Sequence, residues 1–194
     1  MPLGANKVAL YGASADTGSA VLLSTATASS SASISFTLPT AYKQVKFGFY
    51  ELNPATDNVQ FQFQTSIDGG SNYNVTLTST FFTAWHNEND SNQALSYTTA
   101  SDQAQGTSYQ TLFWSLGGDA DECGGGELQL FNPASTTYVK HYTSRMSGMG
   151  DSPMAMDLFS AGYFNDASND LTNISFKMSS GNIATGTIKM WGIK

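Results

Sequence analysis

The sequence predicts an all-β chain, an antiparallel jelly-roll-like β-sandwich, on three observations. Apolar and polar residues alternate at a two-residue period through most segments that carry large side chains, the period of a strand rather than a helix. Clusters of Gly, Pro, Asn, Asp and Ser interrupt those segments about every ten residues, as the turns of a sandwich do. Twelve Phe, nine Tyr and three Trp are spread along the 194 residues, bulky side chains that suit half-buried pleated faces.

Residues 1–32 hold few large side chains beyond Val8, Leu10, Tyr11 and the run Val21, Leu22, Leu23, and read as an N-terminal arm or weak first strand. A sandwich domain is expected over 33–194. Alternation starts at Ile34, Phe36 and Leu38, with Ser33, Ser35 and Thr37 opposite, and Pro39 ends it. Val45, Phe47 and Phe49 against Lys46, Gly48 and Tyr50 give a second strand, closed by the turn at 52–57. In 59–67 the odd positions (Val59, Phe61, Phe63, Thr65, Ile67) point inward and Gln60, Gln62, Gln64 and Ser66 face away as a glutamine ladder. Asp68-Gly-Gly-Ser71 is a turn signal, so Tyr73, Val75 and Leu77 are expected to return as a hairpin.

Residues 84–108 are polar and unpatterned, which predicts a long surface loop. Strands follow at 109–116 and 127–131, separated by an acidic, glycine-rich loop at 117–126, and Asn132-Pro133 forces a turn. Further strands read at 138–146 and 158–164. Leu171, Ile174, Phe176 and Met178 lead through Ser179-Ser-Gly-Asn182 into a hydrophobic strand with apolar residues on both faces, so a closing hairpin is expected. The total is nine to eleven strands, with no helix longer than two turns.

Charged residues make up 12% of the chain, against about a quarter in an average protein. Eight Lys and Arg against fifteen Asp and Glu give a formal charge of −7, which repels a phosphate backbone and argues against nucleic-acid binding. The neutral polar surface would let copies pack side by side. The single cysteine, Cys123, permits no intrachain disulfide. No run approaches the roughly 20 apolar residues of a membrane span, and the first residues lack the basic start and apolar run of a signal peptide, so a soluble chain made in the cytoplasm and no membrane partner are expected.

Four pieces carry a wider resemblance: Ile34-Ser-Phe36 leading to Tyr50-Glu-Leu-Asn-Pro-Ala-Thr56; Ser66-Ile-Asp-Gly-Gly-Ser-Asn-Tyr73; Leu128-Gln-Leu-Phe-Asn-Pro-Ala-Ser-Thr-Thr-Tyr138; and Met178-Ser-Ser-Gly-Asn-Ile183 running into Gly186-Thr-Ile-Lys-Met-Trp-Gly-Ile193. In this order the chain resembles virion structural proteins of tailed bacteriophages, especially marine and cyanobacterial ones, over about residues 32–193. The resemblance implies a β-sandwich used in shells, fibres or tail appendages, located in the virion, with no catalytic residue. Single-domain length and the absence of heptads or fibrous repeats favour a capsid decoration or cement protein. Its expected partners are copies of itself, a trimer being favoured, and the major capsid protein or other virion proteins. A tail-fibre or head-fibre host-binding module, lectin-like, is the alternative.

The chemistry readable from single residues agrees with a non-enzyme. His86 and His141 lie at no metal-ligand spacing, and no Gly-x-Ser-x-Gly elbow occurs. Asp119, Asp121 and Glu122 between glycines offer oxygens to a calcium ion, as do Asp166, Asn169 and Asp170, yet neither run has an EF-hand pattern and solvated loops are expected. No cofactor and no metal are expected. Trp85 with Asn87 and Asn89 is the candidate glycan contact, an aromatic for stacking beside amides for hydroxyls; its plainer role is to anchor a loop end to the core. Gln60, Gln62 and Gln64 are candidate interface residues because amides both donate and accept, and Val8, Leu10 and Tyr11 are candidates because an arm can add to a neighbour's sheet edge.

Overall fold

The alternating segments become strands because each puts one apolar face toward a shared core, and two such layers cover each other. The computed structural model describes residues 19–193. Twelve strands run through them: β1 (Ala20–Thr27), β2 (Ile34–Thr37), β3 (Gln44–Pro54), β4 (Val59–Ser66), β5 (Leu77–Asn87), β6 (Gln93–Tyr97), β7 (Gln110–Leu116), β8 (Gly124–Phe131), β9 (Lys140–Met149), β10 (Met154–Phe164), β11 (Asn173–Met178) and β12 (Ile183–Ile193). They form an eight-stranded sheet ordered β1-β12-β3-β8-β9-β10-β5-β6 and a four-stranded sheet ordered β2-β11-β4-β7. All pairings are antiparallel, and the described residues contain no helix. The fold is an all-β antiparallel sandwich. Its division into eight and four strands does not by itself reproduce the eight-strand double Greek key of a jelly roll.

The core lies between the layers. Val45, Phe47, Phe49, Leu128, Tyr142, Met146 and Leu158 come from the large sheet, and Ile34, Phe36, Phe61, Phe63, Ile174 and Phe176 from the small one, all buried. Phe176 sits at the centre, its ring centroid 5.2 Å from Phe47, 5.3 Å from Phe49 and 5.9 Å from Phe61. Each such side chain contributes about 1.5–3 kcal/mol by leaving water, so the aromatic cluster is the main clamp between the layers.

Several expectations are corrected. The last two strands are not a hairpin: β11 belongs to the small sheet and β12 to the large one, where β12 lies between β1 and β3. The 179–182 turn, with Gly181 at φ 67, reverses the chain but carries it across the core. In the same way β4 has no returning partner after Gly69 and Gly70, because the next strand, β5, joins the opposite layer. Residues 84–108 are only partly loop: β5 continues to Asn87 and turns into β6, the short edge of the large sheet. The described residues hold twelve strands, more than the nine to eleven expected. Val21, Leu22 and Leu23 lie in β1, paired with β12 through Val21↔Gly192 and Leu22↔Trp191. Val8, Leu10 and Tyr11 lie outside the described residues.

Candidate functional site

Each sheet turns one face outward, and the two outer faces differ in chemistry. In the four strands of the small sheet Lys177 is the one charged residue. Ser35 and Thr37 are exposed, Gln60, Gln62 and Asn173 half-buried, and all stand on the outer face. Gln62 Nε2 donates to Gln60 Oε1 at 2.7 Å, and Thr111 Oγ1 donates to the same oxygen at 3.0 Å. Lys177 Nζ lies 4.3 Å from the centroid of the Tyr109 ring. The amides are thus preset by one another on a neutral surface.

Gln64 departs from the ladder. It is fully buried, and its Nε2 donates to the carbonyls of Val75, Thr107 and Ser108 at 3.2, 3.2 and 2.9 Å. It pins two loops to the small sheet and presents nothing to a partner. Ile67, read as inward, is exposed instead.

The large sheet carries the charge: Lys46, Glu51, Glu127, Lys140, Arg145, Asp157 and Lys189 lie in its strands. One row crosses all eight strands in register on the outer face: Tyr97, Phe82, Phe159, Arg145, Glu127, Gly48, Lys189, Thr25. Phe82 and Phe159 stack at 4.7 Å and 7°. The Arg145 guanidinium covers Phe159 at 5.0 Å and reaches Asp157 twice, Nε to Oδ1 at 3.0 Å and Nη2 to Oδ2 at 2.7 Å. That bidentate bond to Asp157 raises the Arg145 pKa. Lys46 pairs with Glu127, and this hydrogen bond holds the Glu127 carboxyl below the ordinary range despite partial burial.

Beside this row a shallow groove of about 970 Å³ opens on the outer face. Gly125, Ser147, Asp157 and Ala84 are successive cross-strand neighbours on β8, β9, β10 and β5 and form its floor with Ala155. Tyr50 of β3 closes one end and His86 of β5 the other. Small residues make the trench: a Cβ on Gly126, whose φ is 151°, would meet the Arg145 carbonyl oxygen at 2.3 Å, so only glycine fits. Tyr50 is 46% exposed. Lys189 Nζ lies 5.3 Å from its ring centroid, and the Trp191 indole lies across Gly48, where a Cβ would come within 2.8 Å of the indole and 3.0 Å of the Tyr50 hydroxyl. Gly48 therefore leaves the room that the Trp191 indole and the Tyr50 hydroxyl occupy.

Of the residues named from sequence for glycan contact, Trp85 lines this groove and Asn87 and Asn89 do not. Trp85 packs half-buried against the core and itself meets the groove, between Ala84 and His86. Asn87 Nδ2 donates to Ser91 Oγ at 3.4 Å, and Asn89 Oδ1 accepts from the Ser91 amide at 3.0 Å, so both amides serve the β5–β6 turn. His86 bonds Asp90 at 2.9 Å, and exposed His141 stands on β9 beside Tyr163. In the acidic loop Glu122 is buried and its Oε2 accepts from the Asp119 amide at 2.9 Å, while Asn53 Nδ2 donates to the carbonyls of Asp119 and Glu122. Among the described residues no group of three or more His, Cys, Asp or Glu is placed to hold a metal ion.

Sequence reasoning reached Trp85 but missed the rest of the groove. Alternation assigns Tyr50, Arg145 and Trp191 their parity, but only the strand order makes β3, β8, β9, β10 and β5 neighbours. No family model matches the chain, and no curated protein matches it.

Proposed function

We propose that the protein is a non-enzymatic virion structural protein, a capsid decoration or cement protein that oligomerises, as a trimer, and reinforces the head shell through its neutral sheet face. The observation that carries this reading is the outer face of the small sheet, with Gln60, Gln62, Ser35, Thr37 and Asn173 and the lone charge of Lys177. Burying a charge at an interface costs far more than burying an amide that finds a hydrogen-bond partner. A chain of net charge −7 meets copies of itself most cheaply on a surface without carboxylates. Each copy then stabilises the shell by the free energy of its bound contacts, multiplied by symmetry. The sequence resemblance to phage virion proteins supports the same reading, and the major capsid protein is the partner it implies.

Labelled imaging of intact particles tests it. Density on the head surface, together with loss of heat resistance when the protein is stripped, is expected. Density confined to tail appendages would replace this reading with the alternative, a host-binding fibre module.

A further inference from the structure

We infer that the groove on the outer face of the large sheet binds a neutral, linear glycan. The inference does not rest on the assembly reading, since it concerns the opposite side of the sandwich.

The ligand class follows from what the groove offers. It crosses five strands, from β3 to β5, and neighbouring strands lie about 4.8 Å apart, so its length is about 19 Å. That exceeds one sugar ring and suits several linked ones. These strands spend their backbone groups in ladders on both sides, so an extended peptide finds no edge to pair with. A ligand must bring its own hydrogen-bonding groups and meet side chains. Two planar groups are held in place, the Arg145–Asp157 fork and Glu127 fixed by Lys46 and by Gln129 Nε2 at 3.0 Å, and Ser147 lines the groove beside them. Paired planar groups of this kind bind vicinal hydroxyls while remaining satisfied. Their charges cancel within each pair, which favours a neutral polymer over an anionic one.

Tyr50 supplies the apolar part. A pyranose turns a flat patch of C–H bonds to an aromatic face, and the Tyr50 ring is 46% exposed at the groove end, with Lys189 Nζ over one of its faces. The small floor of Gly125, Ala155 and Ala84 lets a ring settle against the sheet.

Affinity electrophoresis of the full chain through gels containing β-glucan, galactomannan, xylan or dextran, with anionic alginate alongside, tests the inference. Retardation relative to a plain gel is expected in at least one neutral polysaccharide. Tyr50→Ala, which removes the platform, and Ala155→Trp, which fills the floor from an exposed position, should each weaken it at least tenfold. Thr136→Ala, exposed in the β8–β9 turn away from both faces, should leave it unchanged. No retardation by any neutral polymer, retardation by alginate alone, or retardation insensitive to whichever of the two groove variants retains the wild-type melting temperature overturns the inference.

Discussion

The Lys140 ammonium donates to the carbonyl oxygen of Asp166 at 2.6 Å and also to that of Asn169, so a fully buried cation closes the loop after β10. The loop that offered oxygens to a metal ion in the sequence is organised around a lysine. Asp166 is bent back on the loop, its Oδ1 accepting from the amides of Ser168 and Asn169 at 2.8 and 2.9 Å. Burial lowers the Lys140 pKa, partly offset by the nearby charges of Asp166 and Asp170. Replacing the side chain by one of similar length without charge, Lys140→Met, strands two carbonyls, with an expected cost of about 2–4 kcal/mol. Urea unfolding measures it, and amide exchange should quicken over residues 165–170.

The aromatic clamp predicts the largest single loss. Phe176→Ala removes a fully buried ring that packs against Phe47, Phe49 and Phe61 from both layers. A large-to-small change of this kind costs about 3–5 kcal/mol. Equilibrium denaturation should show it as a lower midpoint with an unchanged slope.

Gln64 predicts a local effect at long range in sequence. Gln64→Leu keeps the volume near that of glutamine but leaves the carbonyls of Val75, Thr107 and Ser108 without this donor. Unpaired buried acceptors cost about 1–3 kcal/mol. Hydrogen exchange should rise in the 101–109 loop before it rises in β4.

Asp68 predicts an acid-resistant turn. Its carboxylate accepts from Ser66 Oγ at 2.6 Å, from the Asn72 amide at 2.9 Å and from Asn72 Nδ2 at 2.6 Å, which lowers its pKa from 3.8 to about 2. A depressed acid stabilises the fold above its unfolded value, so this contribution is complete above 3.8 and lost as pH falls through about 2. Carboxyl-carbon NMR should place its titration there, and Ser66→Ala should move it back toward the ordinary value.

Alternation made much of this architecture legible, because a period of two fixes which face each residue takes: Ile34, Phe36, Val45, Phe47, Phe61 and Phe63 all turn inward as read. What periodicity lacks is the identity of a strand's neighbours. Gly69-Gly70 and Ser179–Asn182 announce a reversal equally for a hairpin and for a crossing between layers, and both proved to be crossings. β6 escaped because it is an edge strand whose outward residues, Leu95 and Tyr97, are its most apolar, the reverse of the expected pattern. Gln64 escaped because the loop that buries it lies some forty residues away, as Thr107 and Ser108 show. The neutral face was visible in Gln60 and Gln62, whereas the groove joins side chains from five strands.

The neutral sheet face as a self-association surface is tested most directly by sedimentation equilibrium of the wild type beside the double variant Gln60→Glu, Gln62→Glu. The wild type should sediment at three times the chain mass, and the variant, whose carboxylates would have to be buried against their own copies, as a monomer of unchanged β content. A wild type that stays monomeric across the concentration range, or an oligomer indifferent to the two charges, contradicts the account.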